Sequence, residues 1–340
     1  MTLKSHLTNG NSGEGPKILK SKALISFLVI IIMLGSNCAA HDICPAIMID
    51  MVMGEPISVD SVLDDLSKVK IVYLGEHHTI ARHHRVQLDI IKGLSDRGIS
   101  ISIGMEMFSR DQQSILNDWL NTREGINGLA LKLGSEGWTN LRDYSEILNH
   151  AREIGIPVLG INASDALVRT VAREGLEGLS SMQRQIVPDD VEDINPQYEK
   201  LLRLKLQVHK SFKEKKLDRI ILAQAVRDSV MAQSIIEFAQ SNLGSDRVVV
   251  VIAGGGHLNY GFGIPERVSK HMNVPFRIVL PSESGELVLS EKELQHAAPI
   301  EITHSDLSFI RVRIADYLSV LPLKQDHERP GPETVEARAL

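Results

Sequence analysis

Residues 247–257 read Arg-Val-Val-Val-Val-Ile-Ala-Gly-Gly-Gly-His, and this stretch decides the fold. An unbroken β-branched run with no polar alternation fits a strand buried on both faces, which is the signature of a parallel sheet covered by helices. The three glycines stop the strand and let the backbone turn sharply, and His257 follows at once.

Working outward, the same grammar recurs. Residues 70–74 form a short β-branched run closed by Gly75, and residues 81–94 follow with helical spacing of Val86, Leu88, Ile90 and Ile91. Residues 99–103 make a second strand. Ser109 then opens a helix with Gln112 three positions on, a capping-box pattern. Residues 144–154 read as helix, 156–161 as a third strand, and Ser164 as the cap of another helix. The longest helical stretches are 197–215 and 218–239. Pro265 stands at a favoured first helical position, and 276–280 and 286–289 read as closing strands. Residues 306–317 offer one further strand, and 175–195 form a long irregular segment, a lid or a loop. The expected fold is α/β, a mostly parallel central sheet flanked by helices on both faces.

The leader has its own logic. Lys17, Lys20 and Lys22 precede an apolar run at 23–34, and Gly35, Ser36, Cys38, Ala39 and Ala40 follow. A basic region, a short apolar region and small residues make a secretory signal, and the run is too short to span a bilayer. Residues 1–40 are therefore expected to be a signal peptide, with lipidation of Cys38 as a variant that Asn37 and Gly35 match poorly. Residues 41–68 form a lead-in, 69–290 the main domain, 291–323 an extension and 324–340 a polar, disordered tail. The expected location is exported: periplasmic, or a membrane-anchored lipoprotein.

Composition excludes several classes. A net charge of -6 lacks the basic stripe that nucleic-acid binding needs, and 4% aromatics leave little for base stacking. The only cysteines are Cys38 and Cys44, so the main domain has no disulfide framework. Gly254–Gly256 lacks the lysine and serine of a phosphate loop and the spacing of a dinucleotide fingerprint.

Polar residues gather where strands end. Gly75-Glu76-His77-His78 follows the first strand, Gly104-Met105-Glu106 the second, Asn162 the third, and His257 the fourth. Open parallel sheets bind ligands beyond the carboxyl ends of their strands, so these side chains are expected in one pocket. Imidazoles and carboxylates are ligands for divalent metals, so Glu76, His78, Glu106 and His257 form a candidate metal set. His77, His83 and His84 are weaker candidates. His84 shares a helix face with Leu88 and reads as packing.

Further pieces recur in order: Met107-Phe108 with Gln112-Gln113, Gly137-Trp138 with Tyr144, and residues 157–162. Ala223-Gln224 with Asp228 and Met231-Ala232 come next, then Tyr260-Gly261 and Gly263-Ile264-Pro265. Together with the strand ends, this set, over about residues 69–279, resembles the ChaN-like haem-binding uptake proteins. Val226-Arg227 departs from it where a bulky apolar pair is common, as does Gly255 or Gly256 where asparagine is usual.

The resemblance implies an exported, often lipid-anchored haem binder associated with iron uptake. It also implies kinship with Tiki-type metalloproteases and erythromycin esterases, whose two Gly-x-x-His motifs match Gly75-x-x-His78 and Gly254-x-x-His257. In the haem reading, His78, His257, Tyr260 and Tyr144 are axial-ligand candidates, with a tyrosine oxygen favoured. Met105, Met107, Phe108 and Trp138 supply apolar walls, and two copies sandwich two haems as a homodimer. In the alternative, a divalent ion (Mn, Co or Zn) is held by His78 and His257, and Glu76 or Glu106 is the general base of a hydrolase.

Overall fold

The computed structural model describes residues 47–206, 214–241, 243–282, 302–303 and 305–320. The signal-peptide, Cys38, 286–289 strand and 324–340 tail expectations all lie outside the described residues.

Eight strands form one sheet: β1 (Ile47–Asp50), β2 (Glu55–Ile57), β3 (Ile71–Glu76), β4 (Ile101–Ser109), β5 (Val158–Asn162), β6 (Val248–Gly254), β7 (Phe276–Ser282) and β8 (Tyr317–Val320). Their order is β2-β1-β8-β7-β3-β6-β4-β5. From β8 to β5 every neighbouring pair is parallel, while β1 joins β8 and β2 antiparallel. The expected α/β class is thus observed. Strands from either side of 69–290 also belong to this sheet.

The β6 run is buried along its whole length, as its composition requires. Val248, Val250 and Ile252 face one core layer together with Val72, Leu74 and Ile103. Val249, Val251 and Ala253 face the other with Ile71, Tyr73 and Ile278. Helices Val59–Leu66, Ala81–Asp96, Gln113–Leu120 and Ser145–Ile154 contribute to the first layer. Helices Glu214–Gln240 and Ile264–His271 cover the second. Truncating one of the large side chains here to alanine costs about 2–5 kcal/mol.

Local signals hold where they were strong. Ser109 and Gln112 form the capping box, and Ser164 Oγ accepts from the Leu167 amide. Pro265 sits in the first turn of its helix. Two expectations change. The second strand runs on to Ser109, with its register to β5 shifting between Met105 and Ser109. The C-terminal strand falls at Tyr317–Val320, not at 306–317, because turns occupy 305–309. The irregular 175–195 segment holds one short helix, Ser181–Arg184, and a single turn at Leu176–Gly178. Among the described residues no helix is long and apolar enough to cross a membrane.

Candidate functional site

Adjacent strands β3, β6, β4 and β5 end at one edge, and the chain reverses its direction of travel across the sheet there. β3 leads rightward to β4 and β5, whereas β6 inserts between β3 and β4 and leads back to β7 and β8. Such a switch point opens a crevice at the carboxyl ends.

Five side chains alternate acid and imidazole across this crevice. Glu76 Oε1 lies 2.6 Å from His78 Nδ1, and His78 Nε2 is 3.8 Å from Glu106 Oε1. The same Glu106 oxygen is 3.3 Å from His257 Nε2, and His257 Nδ1 is 2.5 Å from Asp228 Oδ1. Glu106 Oε2 accepts the Gly254 amide at 2.7 Å, which ties the end of β6 to β4. Asn162 donates to the Glu106 carbonyl at 3.0 Å, so all four strand ends meet.

Each outer carboxylate is held from behind. Glu76 accepts from the Tyr144 hydroxyl and, at 2.8 Å, from Gln87 Nε2. Asp228 Oδ2 accepts from the Tyr198 hydroxyl at 2.9 Å. Gln224 Nε2 lies 3.0 Å from His257 Nδ1. Gly263 is confined by this arrangement: its φ is +66°, and a Cβ there would stand 2.6 Å from the His257 carbonyl and 3.2 Å from both Asp228 carboxylate oxygens.

The electrostatics follow. Burial alone would favour neutral His257, but the Glu106 and Asp228 carboxylates outweigh it and raise its pKa to about 10. Burial likewise opposes the Glu106 charge, yet His257, His78 and the Gly254 amide bring its pKa down to about 2. For His78, burial lowers the pKa while the Glu76 hydrogen bond and the Glu106 charge raise it further, for a net upward shift. Burial pushes His84 down and His83 down to about 4, so these two favour the neutral form.

His78 is the member that opens to solvent, with a third of its side chain exposed against 8% for His257. It borders a cleft of about 280 Å³ whose walls include Glu106, Met107, Trp138, Asn162 and Arg227. Trp138 meets the His78 ring edge-on, with centroids 5.0 Å apart. The other expected residues fall elsewhere. Met105 and Phe108 are fully buried in the first core layer. Tyr144 is fully buried, its hydroxyl committed to Glu76 and its ring 4.3 Å from that of His84. Tyr260 takes a left-handed φ of +65° and packs near Phe262, Leu307 and Phe309. Among the described residues, no group of three or more His, Cys, Asp or Glu side chains is disposed to hold a metal ion. Glu76, His78, Glu106 and His257 converge, but they pair with one another.

Gln87 and Tyr198 were not singled out by sequence. Gln87 lies on the buried stripe of Ala81–Asp96, and Tyr198 opens the helix Pro196–Leu206. The available signal was a polar side chain among apolar helical positions, which is weak. Asp228 gave a stronger one, an acid between Val226 and Val230 on a buried helix.

A family model described as haem-binding uptake, Tiki superfamily, ChaN, matches residues 62–268. The chain belongs to this family. A solved structure described as cofacial heme binding to ChaN of Campylobacter jejuni superposes with a TM-score of 0.59 at 20% identity. That match covers 80% of this chain and 95% of that one. The family member is also 28% identical to Protein RETICULATA-RELATED 5, chloroplastic, of Arabidopsis thaliana, over 72% of this chain and 35% of that protein. It thus spans about a third of that relative. An erythromycin esterase mutant in its open conformation matches with a TM-score of 0.42 at 15% identity, over 69% of this chain and 76% of that one.

Proposed function

We propose that this protein binds haem at the mouth of the cleft, with His78 Nε2 as the axial ligand. One observation carries the reading. His78 is the partly exposed imidazole at the cleft, and its Nδ1 is already engaged by a buried carboxylate at 2.6 Å. With Nδ1 held by Glu76, Nε2 is the nitrogen that would bind iron on giving up its proton. Imidazoles that ligate metals are almost always held in this way, because the second hydrogen bond fixes the ring and raises its basicity. Tyr144 and Tyr260 suit the role less, since neither lines the cleft among the described residues.

Pockets that enclose a drug-sized ligand measure roughly 300–1,000 Å³, and this one is smaller, at about 280 Å³. A cleft of this size would enclose a porphyrin only in part, with Met107 and Trp138 as its apolar contacts. A second copy with its own haem would complete the enclosure as a homodimer. The basic, apolar and small-residue leader at 17–40 supports export, which suits a carrier of ferric haem in iron uptake.

The test is a hemin titration followed by visible absorption on the wild type, His78→Ala, His257→Ala, Tyr144→Phe and Tyr260→Phe. The expected result is a displaced Soret band and weakened binding for His78→Ala, with unchanged spectra for both tyrosine variants. A displaced band for Tyr260→Phe alone overturns the assignment of His78.

A further inference from the structure

Arg227 lies one position before Asp228 on the helix Glu214–Gln240, yet it serves a different surface. Asp228 turns into the buried relay, while Arg227 borders the open cleft. It is the one Lys or Arg among the described cleft-lining residues, against three carboxylates: Glu106, Glu136 and Asp165. Glu106 is spoken for by its two histidines. A ligand anion entering this cleft therefore has a single guanidinium to meet.

The pairing of that guanidinium is weak and exchangeable. Arg227 Nη2 lies 3.2 Å from Asp165 Oδ1, with side chains 23% and 54% exposed. Exposed pairs of this kind contribute little, because water screens both charges. Nor is Asp165 stranded if Arg227 leaves it, since Asp165 Oδ2 also lies 3.5 Å from Arg169. A ligand carboxylate, by contrast, can take the planar guanidinium through two parallel hydrogen bonds.

We propose that Arg227 is a carboxylate-recognition subsite that selects porphyrins bearing free propionates, an inference that rests on the haem-binding reading above. Asp165 holds the guanidinium in place in the empty protein and yields it to the propionate. The division of labour is spatial. His78 would hold the iron, Trp138 and Met107 would offer apolar contact, and Arg227 would hold a propionate.

The experiment compares hemin with hemin dimethyl ester, whose propionates are capped, on the full chain. Equilibrium titrations are run for the wild type, Arg227→Ala, Arg227→Lys and Asp165→Asn. Arg227→Ala should weaken hemin about tenfold, the lower end for a lost charge-assisted hydrogen bond, and leave the ester unchanged. Arg227→Lys should recover part of the loss, and Asp165→Asn should tighten hemin without affecting the ester. Should Arg227→Ala misfold, the Asp165→Asn contrast reads the same subsite from the other partner. Equal effects on both porphyrins, or on neither, overturn the proposal while leaving haem binding intact. A wild type that binds no hemin overturns the haem reading and this inference with it.

Discussion

His257 Nε2 lies 3.3 Å from Glu106 Oε1, and both side chains are closed to solvent. Neither charge would survive burial alone, and each makes the other affordable. The pair therefore ties stability to pH in two directions. Glu106 is brought from an ordinary 4.5 to about 2, so its contribution is present above pH 4.5 and is lost as pH falls toward 2. His257 is raised from 6.5 to about 10, so its contribution is full below pH 6.5 and drains away as pH rises toward 10. Thermal melts across pH should show a plateau between pH 4.5 and 6.5 with a fall on both sides. Glu106→Gln should cost on the order of 3 kcal/mol, as breaking a buried pair does, and draw the alkaline fall to lower pH. An alkaline fall at the same pH in that variant refutes the coupling.

Haem affinity should carry a proton signature of its own. The Glu76 and Glu106 carboxylates raise the His78 pKa, and iron at Nε2 must displace a proton there. Hemin affinity should thus climb with pH below that pKa, by up to about tenfold per unit, and level off above it. Titrations at several pH values, repeated on His78→Ala, give the measurement. A slope that persists in the alanine variant places the titrating group elsewhere.

Much of this site was legible before the fold was known, and the reason lies in the strand ends. Glu76 and Asn162 close buried β runs, Glu106 lies just past the last β4–β6 pair at Met105, and His257 follows β6, so each stands out as a polar side chain after apolar strand residues. Polar residues within helices, such as Gln87 and Tyr198, give no such cue. Of the four expected wall residues, Met107 and Trp138 line the cleft, whereas Met105 and Phe108 do not. Met105, Met107 and Phe108 lie on one continuous strand, but the register shift between Met105 and Ser109 breaks strict alternation. All three pack in the first core layer, and sequence period alone does not tell that Met107 also borders the cleft. The β8 strand, Tyr317–Val320, is hard to place from sequence because it is only four residues long and puts the polar Ser319 on its buried face with Tyr317.

Tyr144 offers a way to separate support from ligation. Its hydroxyl donates to Glu76, and burial with that carboxylate nearby pushes the phenol far above its ordinary pKa. Such a group favours the protonated form and donates to Glu76. Tyr144→Phe keeps the ring and leaves Glu76 with Gln87 and His78. Urea melts should show a loss of roughly 1.5–3 kcal/mol, the value of a hydrogen bond to a charged group. The hemin spectrum should not change. A displaced Soret band with unchanged stability would make Tyr144 a ligand after all.

Gly263 tests whether the seat of His257 depends on backbone shape. Its φ of +66° lies in the region that penalises side chains, and an added Cβ would press on the His257 carbonyl at 2.6 Å. The neighbouring contact is backbone, which cannot rotate away as a side-chain tip could. The two Asp228 oxygens, each 3.2 Å from the same Cβ position, must shift as well. Gly263→Ala should therefore combine backbone strain with a displaced His257–Asp228 pair, for a loss on the order of 3 kcal/mol in chemical denaturation. Because that pair supports the raised His257 pKa, the alkaline limb of the stability profile should also move to lower pH in this variant. Gly98, whose φ is +72° with open space around its Cβ position, provides the control. Gly98→Ala carries the backbone strain alone and should leave the pH profile in place. An identical profile for both variants would show that Gly263 acts through strain and not through the histidine it abuts.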